Sequence, residues 1–343
     1  MRKLLNTLYV TLPEAYISRD GLNIVVLVDN VEKFRIPVHN IESIVSFGWS
    51  GVSPALLSLC GERNVAMNFL TPTGHFCGRV EGPVRGNVLL RRQQYRLADD
   101  EKFSVSLVKS FIVAKIANCR NVIHRTLRDH GNDANRTSLQ SAMILLEEYL
   151  KKVQEADSVN TIRGIEGIAA NDYFNVFNHF IVNQKDDFVF HGRSRRPPRD
   201  RVNALLSFCY SLLAHEVQSA LETVGLDPYV GFLHTDRPGR PGLALDLMEE
   251  LRPYLADRLT LTLINRNQVD AKGFVDQEGF GYLMDDETRK TVIAAWQKRK
   301  QEEIVHPFLE EKVQVGLIPY IQALLLARHL RGDLDMYPAF IMK

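Results

Sequence analysis

The chain changes character at Gly82-Pro83-Val84-Arg85-Gly86-Asn87-Val88-Leu89-Leu90-Arg91-Arg92-Gln93-Gln94-Tyr95. Gly-Pro is a strong breaker of regular structure. Before it, apolar residues alternate over short runs. After it they recur at helical spacing and continue to do so. The β-prone runs upstream are Ala15 to Ser18, Leu22 to Val28, Lys33 to Pro37, Ile41 to Phe47, Val65 to Leu70 and His75 to Val80. Asp20-Gly21 and Asp29-Asn30 have the composition of tight hairpin turns, and Thr71-Pro72-Thr73-Gly74 reads as a further turn. Pro54 to Gly61 reads as one short helix, with Pro54 suited to its first turn. These hairpins do not suit a parallel nucleotide-binding sheet, and no phosphate-cradling glycine loop occurs.

Downstream, helices are expected over Lys102 to His130, Asn135 to Glu155, Thr161 to Phe180, Asp200 to Val224, Gly242 to Asn265, Asp285 to Lys300 and Lys312 to Arg331. Asp200 suits an N-cap and Gly225 a C-terminal stop. The predicted class is α+β: a small N-terminal β-rich domain, residues 1–85, followed by a larger all-α helical domain, residues 86–343.

A chain of 343 residues accommodates two cores. Hydrophobic residues at 45% and charged residues at 24% describe an ordinary globular protein. Apolar runs such as Ile24 to Val28 are too short to cross a bilayer, and the N-terminus lacks the apolar core of a signal peptide, so no membrane partner and a cytoplasmic location are expected. Cys60, Cys77, Cys119 and Cys209 form no C-x-x-C pair, which argues for buried thiols over a disulfide framework or zinc site. A net charge of +1 gives no global argument for nucleic acid, so any such binding must come from local clusters.

Several groups could carry chemistry. Glu166 lies in Gly164-Ile165-Glu166-Gly167-Ile168-Ala169-Ala170, where glycines in a helical pattern suggest close approach by another backbone or a ligand. His234 ends Gly231-Phe232-Leu233-His234, ahead of a Pro/Gly-rich loop to Gly242. Asp246, Glu249 and Glu250 are spaced i,i+3 and i,i+4, which places them on one broad helix face. A Glu, a His and a further acid can hold a hard divalent ion with room for water and a phosphate. The same residues also suit helix packing, a loop histidine and a solvated acidic face. Arg193, Arg195, Arg196, Arg199 and Arg201 are five arginines in nine residues at a helix start, matched to phosphate or to a solvated loop. Arg79, Arg85, Arg91, Arg92 and Arg96 make a second basic stretch. No G-x-S-x-G elbow, H-E-x-x-H or Walker loop is present, so Ser or Cys nucleophilic catalysis has no support.

In order along the chain, Gly82–Tyr95, Gly164–Ala170, Arg193–Asn203, Gly231–His234 and Leu245–Pro253 resemble the CRISPR-associated integrase family, the endonucleases of spacer acquisition. The likeness covers nearly the whole chain and looks closest to members accompanying type I-C systems. It implies the same two-part architecture, a homodimer, and assembly with a small ferredoxin-like adaptation subunit. It further implies that Glu166, His234 and Glu249 bind one Mg²⁺ or Mn²⁺. Asp246, one turn earlier, is the rival third ligand, or an outer or proton-handling group. The implied reaction is metal-dependent transesterification, in which a 3′-hydroxyl of a short foreign DNA, the protospacer, attacks a phosphodiester at a CRISPR repeat. The rival readings are a metal-dependent nuclease on branched or single-stranded nucleic acid in repair, and a non-catalytic DNA-binding scaffold.

Overall fold

The computed structural model describes residues 7–342 apart from 13, 42, 48–50, 64, 72–75, 81, 83–87, 132 and 280. Most of the turn expected at 71–74 and Arg85 therefore lie outside the described residues. The chain separates into two units. One is Met1–Gly86 with Met284–Glu302 and Gln314–Leu317, and the other is Asn87–Leu283 with Glu303–Val313 and Ile318–Lys343. The division thus departs from 1–85 and 86–343 in one respect: two later segments group with the N-terminal residues.

The first unit has two four-stranded sheets. Strands β1 (Thr7–Val10), β2 (Tyr16–Asp20), β3 (Asn23–Val28), β4 (Val31–Pro37), β5 (Ser43–Phe47) and β6 (Gly51–Val52) precede helix α1 (Pro54–Arg63). Strands β7 (Ala66–Leu70) and β8 (Phe76–Val80) follow it. The sheet β4-β3-β2-β6 contains the expected hairpins. Gly21 at φ 60° makes the first two-residue turn, and Asp29 and Asn30, at φ 51° and 60°, make the second. Such positive-φ pairs match the twist of the strands they join. The other sheet, β1-β5-β7-β8, is less like the expectation. Its β1, β5 and β7 run parallel, because α1 carries the chain across from β5 to β7. Val10, Ile44 and Met67 from this sheet pack with Ile17, Ile24 and Val26 from the other and with Leu56, Leu59 and Cys60 of α1.

The second unit is mainly helical. Its helices are α2 (Val88–Ala98), α3 (Glu101–His130), α4 (Asp133–Glu155), α5 (Val159–Asn175), α6 (Arg201–Val224), α7 (Gly242–Glu249) and α8 (Arg258–Asn265). After hairpin β9 (Phe274–Gln277) and β10 (Gly281–Met284), α9 (Asp286–Gln301) belongs to the first unit. Short strands β11 (Glu303–Val305) and β12 (Lys312–Gln314) precede α10 (Ile318–Arg331). Asp200 caps α6 by accepting from Asn203 N, and Gly225 ends it in the left-handed region at φ 89°.

Three expected helices are shorter than their apolar periodicity. The 161–180 helix stops at Asn175 and finishes in a 3₁₀ turn, Phe177–Phe180. The 312–331 helix starts only at Ile318, with Pro319 in its first turn. The 242–265 helix is broken, because Pro253 has no N–H for a continuing α-helical ladder. Arg252–Asp257 winds instead as a π-helix between α7 and α8. The thiols also divide: Cys60, Cys119 and Cys209 are buried, whereas Cys77 is exposed.

The C-terminal segment is held by buried polar groups. Asn118 of α3 donates to Glu250 O at 2.7 Å and Phe340 O at 2.9 Å, and accepts from Met342 N at 2.9 Å. Asn118→Ala strands these three backbone groups, so it is expected to destabilise the protein by about 2–3 kcal/mol, read by urea unfolding.

Candidate metal centre

Helix α7 directs its three acids in three directions. This corrects the expected single acidic face and excludes a solvated one, since Asp246, Glu249 and Glu250 are all buried. Asp246 faces the loop before its own helix. Its Oδ2 accepts from Phe232 N at 2.6 Å and Leu233 N at 2.9 Å, and its Oδ1 accepts from His234 N at 3.0 Å. Oδ1 also lies 2.6 Å from His234 Nδ1. A carboxylate only accepts, which assigns the ring proton to Nδ1 and leaves the Nε2 lone pair free. The loop can fold this tightly because a Cβ on Gly231 would lie 2.7 Å from Gly242 C and 2.8 Å from Asp246 Oδ2. Glycine is therefore required at Gly231, and at Gly242 for the reciprocal reason.

Glu250 points the opposite way and accepts from Tyr337 Oη at 2.7 Å, Gln322 Nε2 at 2.8 Å and Phe340 N at 3.1 Å. Burial raises its carboxyl to about 7 against those hydrogen bonds. Its place is in the core.

Glu249 points towards Glu166, and the two carboxylates meet at one cation. Lys115 Nζ of α3, itself buried, pairs with Glu166 Oε1 and lies 2.6 Å from Glu249 Oε2. Glu249 Oε1 lies 3.0 Å from Arg252 Nη1 on the π-helical turn. Burial opposes the Glu249 charge, but Arg252, Lys115 and His234 outweigh it and hold the carboxyl at about 2. Burial likewise opposes the Lys115 charge, and Glu249 and Glu166 overcome it and hold the ammonium above its ordinary range. Behind this cluster the Tyr210 ring is stacked by Arg193 and Arg252, each 5.2 Å from its centroid. Tyr210 and Tyr173 donate to Asp257 at 2.6 and 3.1 Å.

The donor set suits a hard divalent ion: two carboxylates aimed at one cation, and an imidazole whose Nε2 the Asp246 hydrogen bond to Nδ1 leaves available. Glu249 Oε2 is buried and faces the Lys115 ammonium. Such an atom fits a metal ligand. As the side chains stand, no three of His, Cys, Asp and Glu among the described residues are close enough together to hold an ion. The place between the carboxylates is taken by Lys115. Gly164 and Gly167 are not sites of backbone contact as expected, because nothing lies within 4 Å of a Cβ built on either. Both are exposed, as is Ile168.

The arginine run divides by role. Arg193 donates to Ser194 O and to Asn203 Oδ1 at 2.7 Å, and Arg201 donates to Asp187 O at 2.7 Å while covering the Tyr282 ring. Both therefore serve the fold. Arg195, Arg196 and Arg199 are exposed. On α2, Arg92 is exposed and Arg91 half-buried. Gln94 of the same helix is buried and donates to Asp227 O at 2.8 Å and Val230 O at 2.9 Å, which ties down the loop that presents His234.

Lys115 and Tyr210 lie in no motif, and Arg252 and Gln94 lie within stretches singled out for other residues. The one available sign was a lysine and a glutamine at apolar positions of helical patterns.

The family model for CRISPR associated protein Cas1 matches residues 8–298. CRISPR-associated endonuclease Cas1 1 of Chlorobaculum tepidum is 51% identical over 343 residues, covering 100% of both chains. A solved casposase bound to integration product superposes at TM-score 0.84 with 20% identity, over 99% of this chain and 95% of that one. A Cas6-RT-Cas1–Cas2 complex contains a chain that superposes at TM-score 0.83 with 23% identity, over 99% of this chain and 36% of that one. The chain belongs to the CRISPR-associated protein Cas1 family, a family of endonucleases. Among the described residues no helix is long and apolar enough to cross a membrane.

Asp246 and Glu166 should differ sharply on mutation. Asp246→Ala leaves three buried N–H groups and the imidazole without an acceptor and is expected to cost about 3 kcal/mol or more. Glu166→Gln leaves Lys115 paired with Glu249 and should cost about 1 kcal/mol. Denaturant unfolding of the two variants against wild type measures both.

Proposed function

We propose that this endonuclease of CRISPR adaptation inserts short foreign DNA into a CRISPR repeat array by metal-dependent transesterification, with Glu166, His234 and Glu249 as the ligands of one Mg²⁺ or Mn²⁺. The observation that supports this most directly is the meeting of Glu166 and Glu249 at a single cation, beside an imidazole with its Nε2 free. When bound, the ion supplies positive charge at the phosphodiester, where negative charge develops in the transition state. The chain's own residues do the positioning. Asp246 fixes the imidazole's tautomer and direction from behind, as carboxylates commonly do for metal-binding histidines, and so is an outer group, not a ligand. Arg252 holds Glu249 by one oxygen and leaves the other for the ion. In the reaction a 3′-hydroxyl oxygen forms a bond to phosphorus, the repeat's own bridging oxygen leaves, and water in place of the hydroxyl gives hydrolysis. No covalent enzyme intermediate is required.

The partners of this reading are protospacer and repeat DNA, a second copy of the chain, and a small ferredoxin-like adaptation subunit. The fold likeness to a casposase with integration product and to a chain of a Cas1–Cas2 complex supports the first and last. The edge strand β4, with Val31 and Phe34 exposed, supports self-association through the first unit. The exposure of Arg195, Arg196 and Arg199 supports them as the contacts to DNA phosphates.

Alanine at Glu166, His234 or Glu249 is expected to abolish strand transfer, a loss of several kcal/mol of transition-state stabilisation, with duplex binding retained. Strand-transfer and gel-shift assays in Mn²⁺ read the two effects. Wild-type activity that survives excess EDTA would rule the mechanism out. A non-catalytic scaffold predicts binding without strand transfer by the wild type, and a repair nuclease predicts cleavage without it.

The triple change of Arg195, Arg196 and Arg199 to alanine should lower the log–log salt slope of duplex binding by about two to three. Sequence preference should be unaltered, since phosphate contacts do not read bases. An unchanged slope would remove this loop from the DNA surface.

A further inference from the structure

Lys115 is the residue at the centre of the cluster for which the proposed reaction has no role. It enters from α3, is buried, and has the carboxylates of Glu166 and Glu249 as its ion-pair partners. Of the Glu249 oxygens, Oε1 is held by Arg252, while Oε2 faces the Lys115 ammonium. A magnesium-type ion binds carboxylate oxygens at about 2.1 Å. It cannot share that place with an ammonium 2.6 Å from Glu249 Oε2, because two cations so close in a buried site repel strongly. The lysine also has somewhere to go. The Glu166 side chain is 21% exposed, so that side of the cluster reaches solvent, and a lysine stem is flexible.

We propose that Lys115 is a built-in counter-ion that holds the cation position between Glu166 and Glu249 until a divalent ion exchanges with it. This rests on the metal reading above. Metal loading is then a displacement. The metal-free protein keeps two buried carboxylates neutralised, and the lysine sets the ion concentration at which the site fills.

The test is Mn²⁺ binding to the full chain by calorimetry, with thermal unfolding alongside. Lys115→Met should tighten Mn²⁺ binding by about tenfold or more, because the competitor is gone and the carboxylates are left unpaired. Its metal-free Tm should fall by several degrees, and saturating Mn²⁺ should close that gap. Lys115→Arg keeps the charge and should not tighten binding. Unchanged or weaker Mn²⁺ binding by Lys115→Met would overturn the proposal. Glu249→Gln separates this failure from that of the metal reading. If Glu249→Gln leaves Mn²⁺ binding intact, the metal reading fails and the lysine role with it. If Glu249→Gln weakens binding and Lys115→Met does not tighten it, only the lysine role fails. Should Lys115→Met not fold, acetic anhydride labelling of wild-type Lys115, followed by mass spectrometry, decides instead. Labelling should rise on adding Mn²⁺, and no rise would overturn the exchange.

Discussion

Two carboxylates brought to one point inside a protein need a cation between them, and most of the second unit's polar architecture follows from that need. Glu166 from α5 and Glu249 from α7 meet at Lys115 from α3, so three helices are tied at one nitrogen. Unpaired, either acid would carry a desolvation cost of several kcal/mol in such a site. Paired, Glu249 remains charged and is held at about 2 despite its burial. The cluster is therefore a centre where positive charge is already required, which is also what a phosphodiester reaction needs.

Helix α7 is the organiser of the surroundings. Within five residues it sends Asp246 to the His234 loop, Glu249 to the cation and Glu250 to the C-terminal segment. Each acid closes a different set of otherwise unsatisfied groups, so the helix is buried on every side. The π-helical turn that follows serves the same end. Pro253 interrupts the α-helical ladder, and the widened turn carries Arg252 back onto Glu249 and over Tyr210. The loop carrying His234 is fixed from two directions, by Asp246 through its backbone and by Gln94 through the preceding residues.

Much of this was legible in the amino-acid sequence, and what was not has physical causes. The hairpin turns at Asp20-Gly21 and Asp29-Asn30, and the caps Asp200 and Gly225, are local signals that the fold keeps. The parallel trio β1, β5 and β7 was not visible, because strand direction depends on a crossover that leaves no local mark. The spacing of Asp246, Glu249 and Glu250 gave neighbours on a helix, but one helix buried all round can point neighbours at different partners. So spacing alone could not separate Asp246 from Glu249, whereas the three N–H groups donated to Asp246 do. Lys115 was hidden because a single lysine in a long amphipathic helix normally reaches solvent. The arginine run looked uniform, yet Arg193 and Arg201 stack on tyrosines while Arg195, Arg196 and Arg199 face outward.

Anomalous diffraction from crystals soaked in Mn²⁺ reads out whether Glu166 and Glu249 converge on one cation with His234 beside them. One strong peak is expected about 2.0–2.3 Å from a carboxylate oxygen of Glu166, from Glu249 Oε2 and from His234 Nε2. Asp246 should still be bonded to the imidazole Nδ1, away from the metal. A peak ligated by Asp246, or crystals loaded with Mn²⁺ that show none at this cluster, would contradict that convergence.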